Sequence, residues 1–303
     1  MKTRVLVPLD GSTLAEQALP CAVTLAQGLS AEVVLFRAVW IPPDALGILD
    51  RVALELSELL DQLEAEADQY LRERVEQLRA MGLSARHTTR CGPAAESIVD
   101  CARQIDVGHI VMSTHGYSGI RRWTHGSVAE RVVQTARVPV LLVRAREEGV
   151  AKGWQEPMLC RRILVPLDGS DVAEQVLPTA TTFAEKLDSE LILFQVPIVH
   201  VYGWMTGEWF VPIQGVLATA EQDAQAYLSE VARRLKEQGL RATTATMMGS
   251  VAESIVDYAK ANSVDLVAMC THGRTGLVRW TLGSVADRVL RAGSTPILLV
   301  RAQ

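Results

Sequence analysis

What this chain lacks narrows its class before any motif is read. No apolar run reaches the roughly 18 residues of a membrane span, so no membrane partner is expected. The first residues, MKTRVLVPLDGS, start a strand pattern at once and lack the long apolar core of a signal peptide. The five cysteines (Cys21, Cys91, Cys101, Cys160 and Cys270) are odd in number and form no CxxC pair. That argues against metal ligation and against a disulfide framework. A cytoplasmic protein with reduced thiols is the expectation. There is no surplus of positive charge, because the formal net charge is −5, so nothing at whole-chain level points to nucleic acid. The phosphate-binding GxxxxGK[ST] pattern is missing, as is a GxGxxG after a first strand. With no lysine placed for phosphates and no evident base to activate water, a fast ATPase is disfavoured.

What is present is a globular composition, 49% hydrophobic and 21% charged, in 303 residues, long enough for two domains. The chain repeats itself. LVPLDGS occurs at 6–12 and 164–170, an offset of 168 − 10 = 158 on the aspartates. AESIVD at 95–100 recurs at 252–257, and RWT at 122–124 recurs at 279–281, both offset by 157. A period this long means duplicated domains, not a solenoid. We expect domains at 1–146 and 161–303, joined by a linker at 147–160 that carries charge, glycine and proline without periodicity.

Each half reads the same way. A short apolar strand at 3–9 ends in Asp10-Gly11-Ser12, which has turn and N-cap chemistry. One helix is expected over 14–27 and a buried strand over 32–39. A long amphipathic helix follows over 52–80, then a more polar, edge-like strand over 83–90. Helix 96–104, strand 109–114, helix 127–135 and strand 138–143 complete the half. The alternation predicts an α/β fold, two doubly wound five-stranded parallel-sheet domains. Ligands in such sheets sit at the carboxyl ends of the strands, at the switch point. The last strands, VPVLLV and TPILLV, are apolar edge candidates that need a partner. They are expected to pair with one another within the chain, with a homodimer also open.

The residues that carry chemistry cluster after the fourth strand of each half. The stretch STHGYSGIRRWTHGSVAERV (113–132) matches CTHGRTGLVRWTLGSVADRV (270–289). Nine residues separate Gly116 from the Gly126-Ser127 pair, and nine separate Gly273 from Gly283-Ser284. A strand that breaks into a glycine loop and re-forms as a helix is an anion cradle, because unpaired N–H groups and the helix dipole converge there. Ser127 and Ser284 stand where an N-cap would, and each hydroxyl can cap the helix or donate to a phosphate. A purely structural turn is the plain alternative. His115 and His272 sit in Thr-His-Gly turns without a second histidine or acid at ligand spacing, so a turn role is expected of them. Arg121, Arg122, Arg274 and Arg279 lie in the spacers, either near phosphates or on a solvated loop face.

At these residues the chain resembles the universal stress protein family in its tandem form, over nearly its whole length. The resemblance implies a Rossmann-like, nucleotide-binding alpha-hydrolase-type fold and a bound ATP, with Mg2+. The family's ATP-binding members carry Gly, two residues, Gly, nine residues, Gly-Ser. This chain has Ser113 and Cys270 where the first glycine stands, at a position the family places against the ribose. Those side chains therefore imply a reshaped ribose contact. By the same resemblance Asp10 and Asp168 are adenine-contacting acids, and the backbones of Ala38 and Val196 meet the adenine. Val128 and Val285 complete the phosphate nest. Pro8 and Pro166 before the aspartates, and Met112 and Met269 before the glycine loops, complete the expected set, and no catalytic residue or protein-held metal site is assigned. The residues alone leave Asp10 and Asp168 equally able to cap the helices that follow. The expected role is ATP binding for regulation or sensing in a stress response. The rival readings are slow ATP hydrolysis and a scaffold that has lost its nucleotide. The aromatic stretch 197–215, with Tyr202, Trp204, Trp209 and Phe210, is open between a flap, an interface and packing on its own domain.

Overall fold

The structure, a computed structural model, describes residues 3–41, 53–114, 127–145, 158–197, 213–271 and 283–302. It divides into two compact units, Met1–Leu159 and Cys160–Gln303. Most of the expected linker and all but the ends of the aromatic stretch lie outside the described residues.

In the first unit the elements run β1 (Arg4–Pro8), α1 (Thr13–Glu16), α2 (Leu19–Leu29), β2 (Glu32–Val39), α3 (Ala53–Ala80), β3 (Ala85–Cys91), α4 (Ala94–Gln104), β4 (His109–Ser113), α5 (Ser127–Thr135) and β5 (Val140–Val143). The strand order is β3-β2-β1-β4-β5 and every pairing is parallel. β1 and β2 are apolar on both faces because helices cover both. Val5, Leu6, Val7 and Val33 through Phe36 are all fully buried. The chain moves outward from β1 to β3, then returns to the other side of β1 to make β4. The switch point therefore lies between the carboxyl ends of β1 and β4.

The second unit repeats this with β6 (Arg162–Pro166), α6 (Asp171–Glu174), α7 (Leu177–Leu187), β7 (Glu190–Gln195), α8 (Ile213–Glu237), β8 (Ala242–Thr246), α9 (Val251–Ala261), β9 (Leu266–Cys270), α10 (Ser284–Ala292) and β10 (Ile297–Val300). Its order is β10-β9-β6-β7-β8, again all parallel. Here the switch point lies between β6 and β9. The fold class read from the sequence is thus the one observed.

One expected element is two. The helix anticipated over 14–27 breaks after Glu16 and restarts at Leu19. Pro20 has no N–H to donate to the carbonyl of Glu16 and its ring crowds that carbonyl, so the chain resets and uses proline in the first turn of α2. Pro178 does the same between α6 and α7. The cysteines are all free thiols, four of them buried and Cys91 exposed. No helix among the described residues is long and apolar enough to cross a membrane.

Candidate functional site

The Asp-Gly-Ser turn at the end of β1 is built by its own side chains. Oδ1 of Asp10 accepts from the Ser12 N–H (2.9 Å) and from the Ser12 hydroxyl (2.6 Å). Ser12 Oγ in turn accepts from the Ala15 N–H (3.1 Å) and so caps α1. The second unit reproduces this at 3.0, 2.5 and 3.2 Å with Asp168, Ser170 and Ala173. Serine is the cap and aspartate is the brace. Between them Gly11 and Gly169 take φ of +91° and +82°, a region that favours glycine. The aspartates are half-buried at the carboxyl ends of their strands, beside the switch points.

The carboxyl end of the fourth strand supplies the other wall. Ser113 and Cys270, which replace the family's glycine, are 6% and 5% exposed, and Met112 and Met269 are buried beside them. Burial pushes the Cys270 thiol up to about 12, against the downward pull of a backbone hydrogen bond at Val176, and the Asp168 carboxylate adds the least, upward. Cys270 is therefore a neutral thiol enclosed beside the Asp168 turn, and not a nucleophile.

In the second unit the helix start is also defined. The N–H of Gly283 donates to the carbonyl of Thr271 (2.8 Å), which ties the start of α10 to the end of β9. Gly283 itself is the N-cap residue, extended at φ −57° and ψ 145°, and its carbonyl accepts from Asp287 (2.9 Å). Ser284 was expected at the cap but is the first helical residue, because Gly283 supplies the extended cap conformation one position earlier. Its side chain makes no capping bond and is exposed. The N–H groups of Ser284 and Val285 belong to the first turn, where helical N–H groups have no intrahelical acceptor.

The structure thus brings Asp168, Met269, Cys270, Gly283, Ser284 and Val285 to one end of one sheet, with Pro166 closing β6 and Val196 just beyond β7. In the first unit Pro8, Asp10, Ala38, Met112 and Ser113 occupy the matching positions, and Ser127 and Val128 open α5. Gly116, Gly126, Gly273, His115, His272 and the four spacer arginines lie outside the described residues.

A profile of the universal stress protein family matches residues 1–144 and again 160–301. The chain belongs to that family. It does so twice over, which makes it a tandem universal stress protein. A universal stress protein of Methanocaldococcus jannaschii is 32% identical over 145 residues, covering 47% of this chain and 83% of that protein. One from Synechocystis is 23% identical over 316 residues and covers 98% of this chain and 99% of its own length, so it shares the tandem form. A solved universal stress protein from Archaeoglobus fulgidus superposes with a TM-score of 0.69 at 17% identity, covering 99% of this chain and 96% of that one. That likeness is one of fold.

Against the turn lies a polar cluster that the motif reading missed. Tyr70, on α3, donates to Glu16 Oε1 (2.7 Å), and Arg74 Nε donates to the same oxygen (2.8 Å). Arg74 and Arg37 both lie over the Tyr70 ring, at 5.0 and 5.5 Å from its centre. Burial, and then Glu16, push the Tyr70 phenol well above its usual range, so it stays a proton donor. In the second unit Tyr227 and Arg234 donate to the two carboxylate oxygens of Glu174, at 2.9 and 2.8 Å. The sequence did hold a signal. Glu16 and Glu174 recur at the offset of the Asp-Gly-Ser turn, 158, and Tyr70 and Tyr227 at that of the AESIVD and RWT repeats, 157.

Proposed function

We propose that this tandem universal stress protein binds an adenine nucleotide, ATP, as a regulatory ligand, and that it does not turn ATP over rapidly. The observation that carries this reading is the bond from Gly283 N–H to Thr271 O. It sets the first turn of α10 beside the end of β9, within reach of the Asp168 turn. Phosphates fit that first turn, where the N–H groups of Ser284 and Val285 have no intrahelical acceptor and the Ser284 hydroxyl is uncommitted. The base fits the other side, with Asp168 accepting from the amino group of adenine and the Val196 backbone alongside. Mg2+ would arrive on the phosphates, because among the described residues no three His, Cys, Asp or Glu side chains converge. What bound ATP supplies is negative charge at a helix start. The chain's own residues bind and orient it, and among the described residues none is placed to activate water.

The test is thermal. A ligand that binds only the folded state at a hundredfold excess over its Kd adds about 2.7 kcal/mol, which is on the order of 5–10 °C in Tm for a domain of this size. Millimolar Mg-ATP is expected to raise the Tm of wild-type protein by several degrees, and Gly283→Asp is expected to abolish the shift in the second unit. A solved universal stress protein is a complex with cAMP, so the titration includes that nucleotide. An unchanged melting curve would leave the scaffold reading in place of this one.

A further inference from the structure

The outer strands of the two units differ in character. Among the described residues β8 has a strand neighbour on one side only, β7, and is tied to it through alternate residues. The Leu191 N–H donates to Arg241 O (2.9 Å) and the Met247 N–H to Gln195 O (3.3 Å). Parallel pairing in this register turns the N–H and C=O groups of Ala242, Thr244 and Thr246 the other way. Among the described residues nothing hydrogen-bonds those outward groups. The run from Ala242 to Met248, ATTATMM, holds no charge, no proline and no glycine. Met247 and Met248 at its end are 38% and 43% exposed. The nearest charge, Arg241, is paired with Asp188 at 2.8 Å. In the first unit the equivalent run on β3 is ARHTTRC, with Arg86, His87 and Arg90 in place of Thr243, Thr244 and Met247. Charge on an outer strand discourages other strands from adding to it, and β8 has none.

An open, uncharged edge rich in threonine is a template for another strand. We propose that a second copy of the chain occupies it, β8 against β8, antiparallel about a two-fold axis at Thr244. That register is its own complement. Ala242 of each copy lies opposite Thr246 of the other, and Thr244 lies opposite Thr244, each pair exchanging two hydrogen bonds. Threonine opposite threonine is a favourable cross-strand pair. Beyond the ladder, Met247 falls on the aliphatic stem of Arg241 of the other copy, and Met248 falls beside its Leu240, so apolar surface leaves water at both ends. The same register on β3 would set His87 on His87 and bring the arginines of both copies together, so that edge repels its own kind. Two-fold pairing also uses up the edge, and the assembly closes at two copies instead of growing into a fibre. ATTATMM offers no charge with which to select a foreign strand, whereas it matches itself throughout.

The experiment uses the full chain without nucleotide. Sedimentation equilibrium at micromolar concentration is expected to give twice the chain mass of 33.1 kDa. Amide exchange is expected to quicken on dilution at Ala242, Thr244 and Thr246, and to hold steady at Thr243 and Ala245, whose N–H groups face β7. Thr246→Pro removes an outward N–H without touching the bonds to β7 and should leave the protein monomeric. Met247→Lys sets a lysine against Arg241 at two symmetric places and should weaken the dimer about tenfold. It keeps the proposal testable if proline unsettles the strand. Thr89→Pro, the equivalent change on β3, should leave the dimer intact. A monomeric wild-type chain overturns the proposal and leaves the edge to a strand from another protein. A dimer that survives both Thr246→Pro and Met247→Lys, or that Thr89→Pro abolishes, overturns it too, because the pairing then lies elsewhere.

Discussion

The two units make the same contact between long helix and edge strand with different chemistry. In the first, Asp68 of α3 meets His87 of β3, Oδ1 to Nε2 at 2.7 Å, with Arg72 on the same carboxylate. In the second, the equivalent residues are Gln225 and Thr244, joined by an amide-to-hydroxyl bond of 2.9 Å. The position keeps a polar bridge and changes whether that bridge titrates. The Asp-Gly-Ser turn, by contrast, is preserved to within about 0.1 Å in its three bonds. Duplication has left the Asp-Gly-Ser turn alike in backbone and has let the side chains around it diverge. The units are therefore each other's controls.

The strongest way to sharpen that comparison is to remove the equivalent core rings. Phe36 and Phe194 are both fully buried. Truncation to alanine is expected to cost about 3–5 kcal/mol in either unit. Phe194 also faces Tyr258 at 4.8 Å between ring centres, where the first unit has Cys101. Phe194→Ala should therefore cost more than Phe36→Ala, by roughly 0.5–1.5 kcal/mol. Denaturant melts of both variants read this directly, and equal costs would mean that the ring pair contributes nothing.

Smaller effects are expected at Gly92 and Gly249, which sit at φ +134° and +147° just before α4 and α9. Alanine at either is strained, on the order of 1–3 kcal/mol. An added Cβ would meet Ser254 Oγ at 2.8 Å in the second unit but Ser97 Oγ at 3.1 Å in the first. Gly249→Ala should destabilise more, and adding Ser254→Ala should recover part of the loss. If the second change recovers nothing, the backbone alone carries the cost.

The smallest effect is the one that titrates. The hydrogen bond from His87, the largest cause, holds the Asp68 carboxyl below its ordinary range. A depressed carboxylate stabilises the fold above its unfolded pKa, and that contribution is lost as pH falls through the folded value. Acid should thus weaken the first unit at this bridge below about pH 4 and leave Gln225–Thr244 untouched. The pair is partly exposed, 22% for His87 and 37% for Asp68, so solvent screening keeps the effect under about 1 kcal/mol. Exchanging Asp68→Gln with His87→Thr should remove the acid sensitivity at this place. Melts from pH 7 to pH 3 that are the same for wild type and exchange would rule it out.

How much of this was legible beforehand follows from the range of the interactions. β2 was placed residue for residue because a run from Glu32 to Val39, apolar at six of eight positions and closed by turn residues, is a local signal. The Asp-Gly-Ser turn was legible for the same reason, since its bonds span two and three residues. The break at Pro20 was local too, but helical periodicity on either side concealed it. Glu16 with Tyr70 and Asp68 with His87 join residues 54 and 19 apart. No spacing rule connects them, and only the repeat, comparing one half with the other, marked part of that set.

The five thiols have a practical consequence. Cys91 is exposed and lends its proton to Glu64 (2.7 Å), while Cys101, Cys160 and Cys270 are enclosed, and burial pushes Cys160 up to about 11 and Cys270 up to about 12. An enclosed protonated thiol reacts with an alkylating reagent only during the moments when its surroundings open. With Cys91 replaced by serine, the labelling rate of Cys101 times the opening of the first unit, and those of Cys160 and Cys270 time two places in the second. Cys270 stands beside the Asp168 turn, so its rate should slow on addition of a ligand that closes that end of the sheet, while Cys101 keeps its pace. The molecule thereby carries its own stopwatch for each half, readable by mass spectrometry without any added probe.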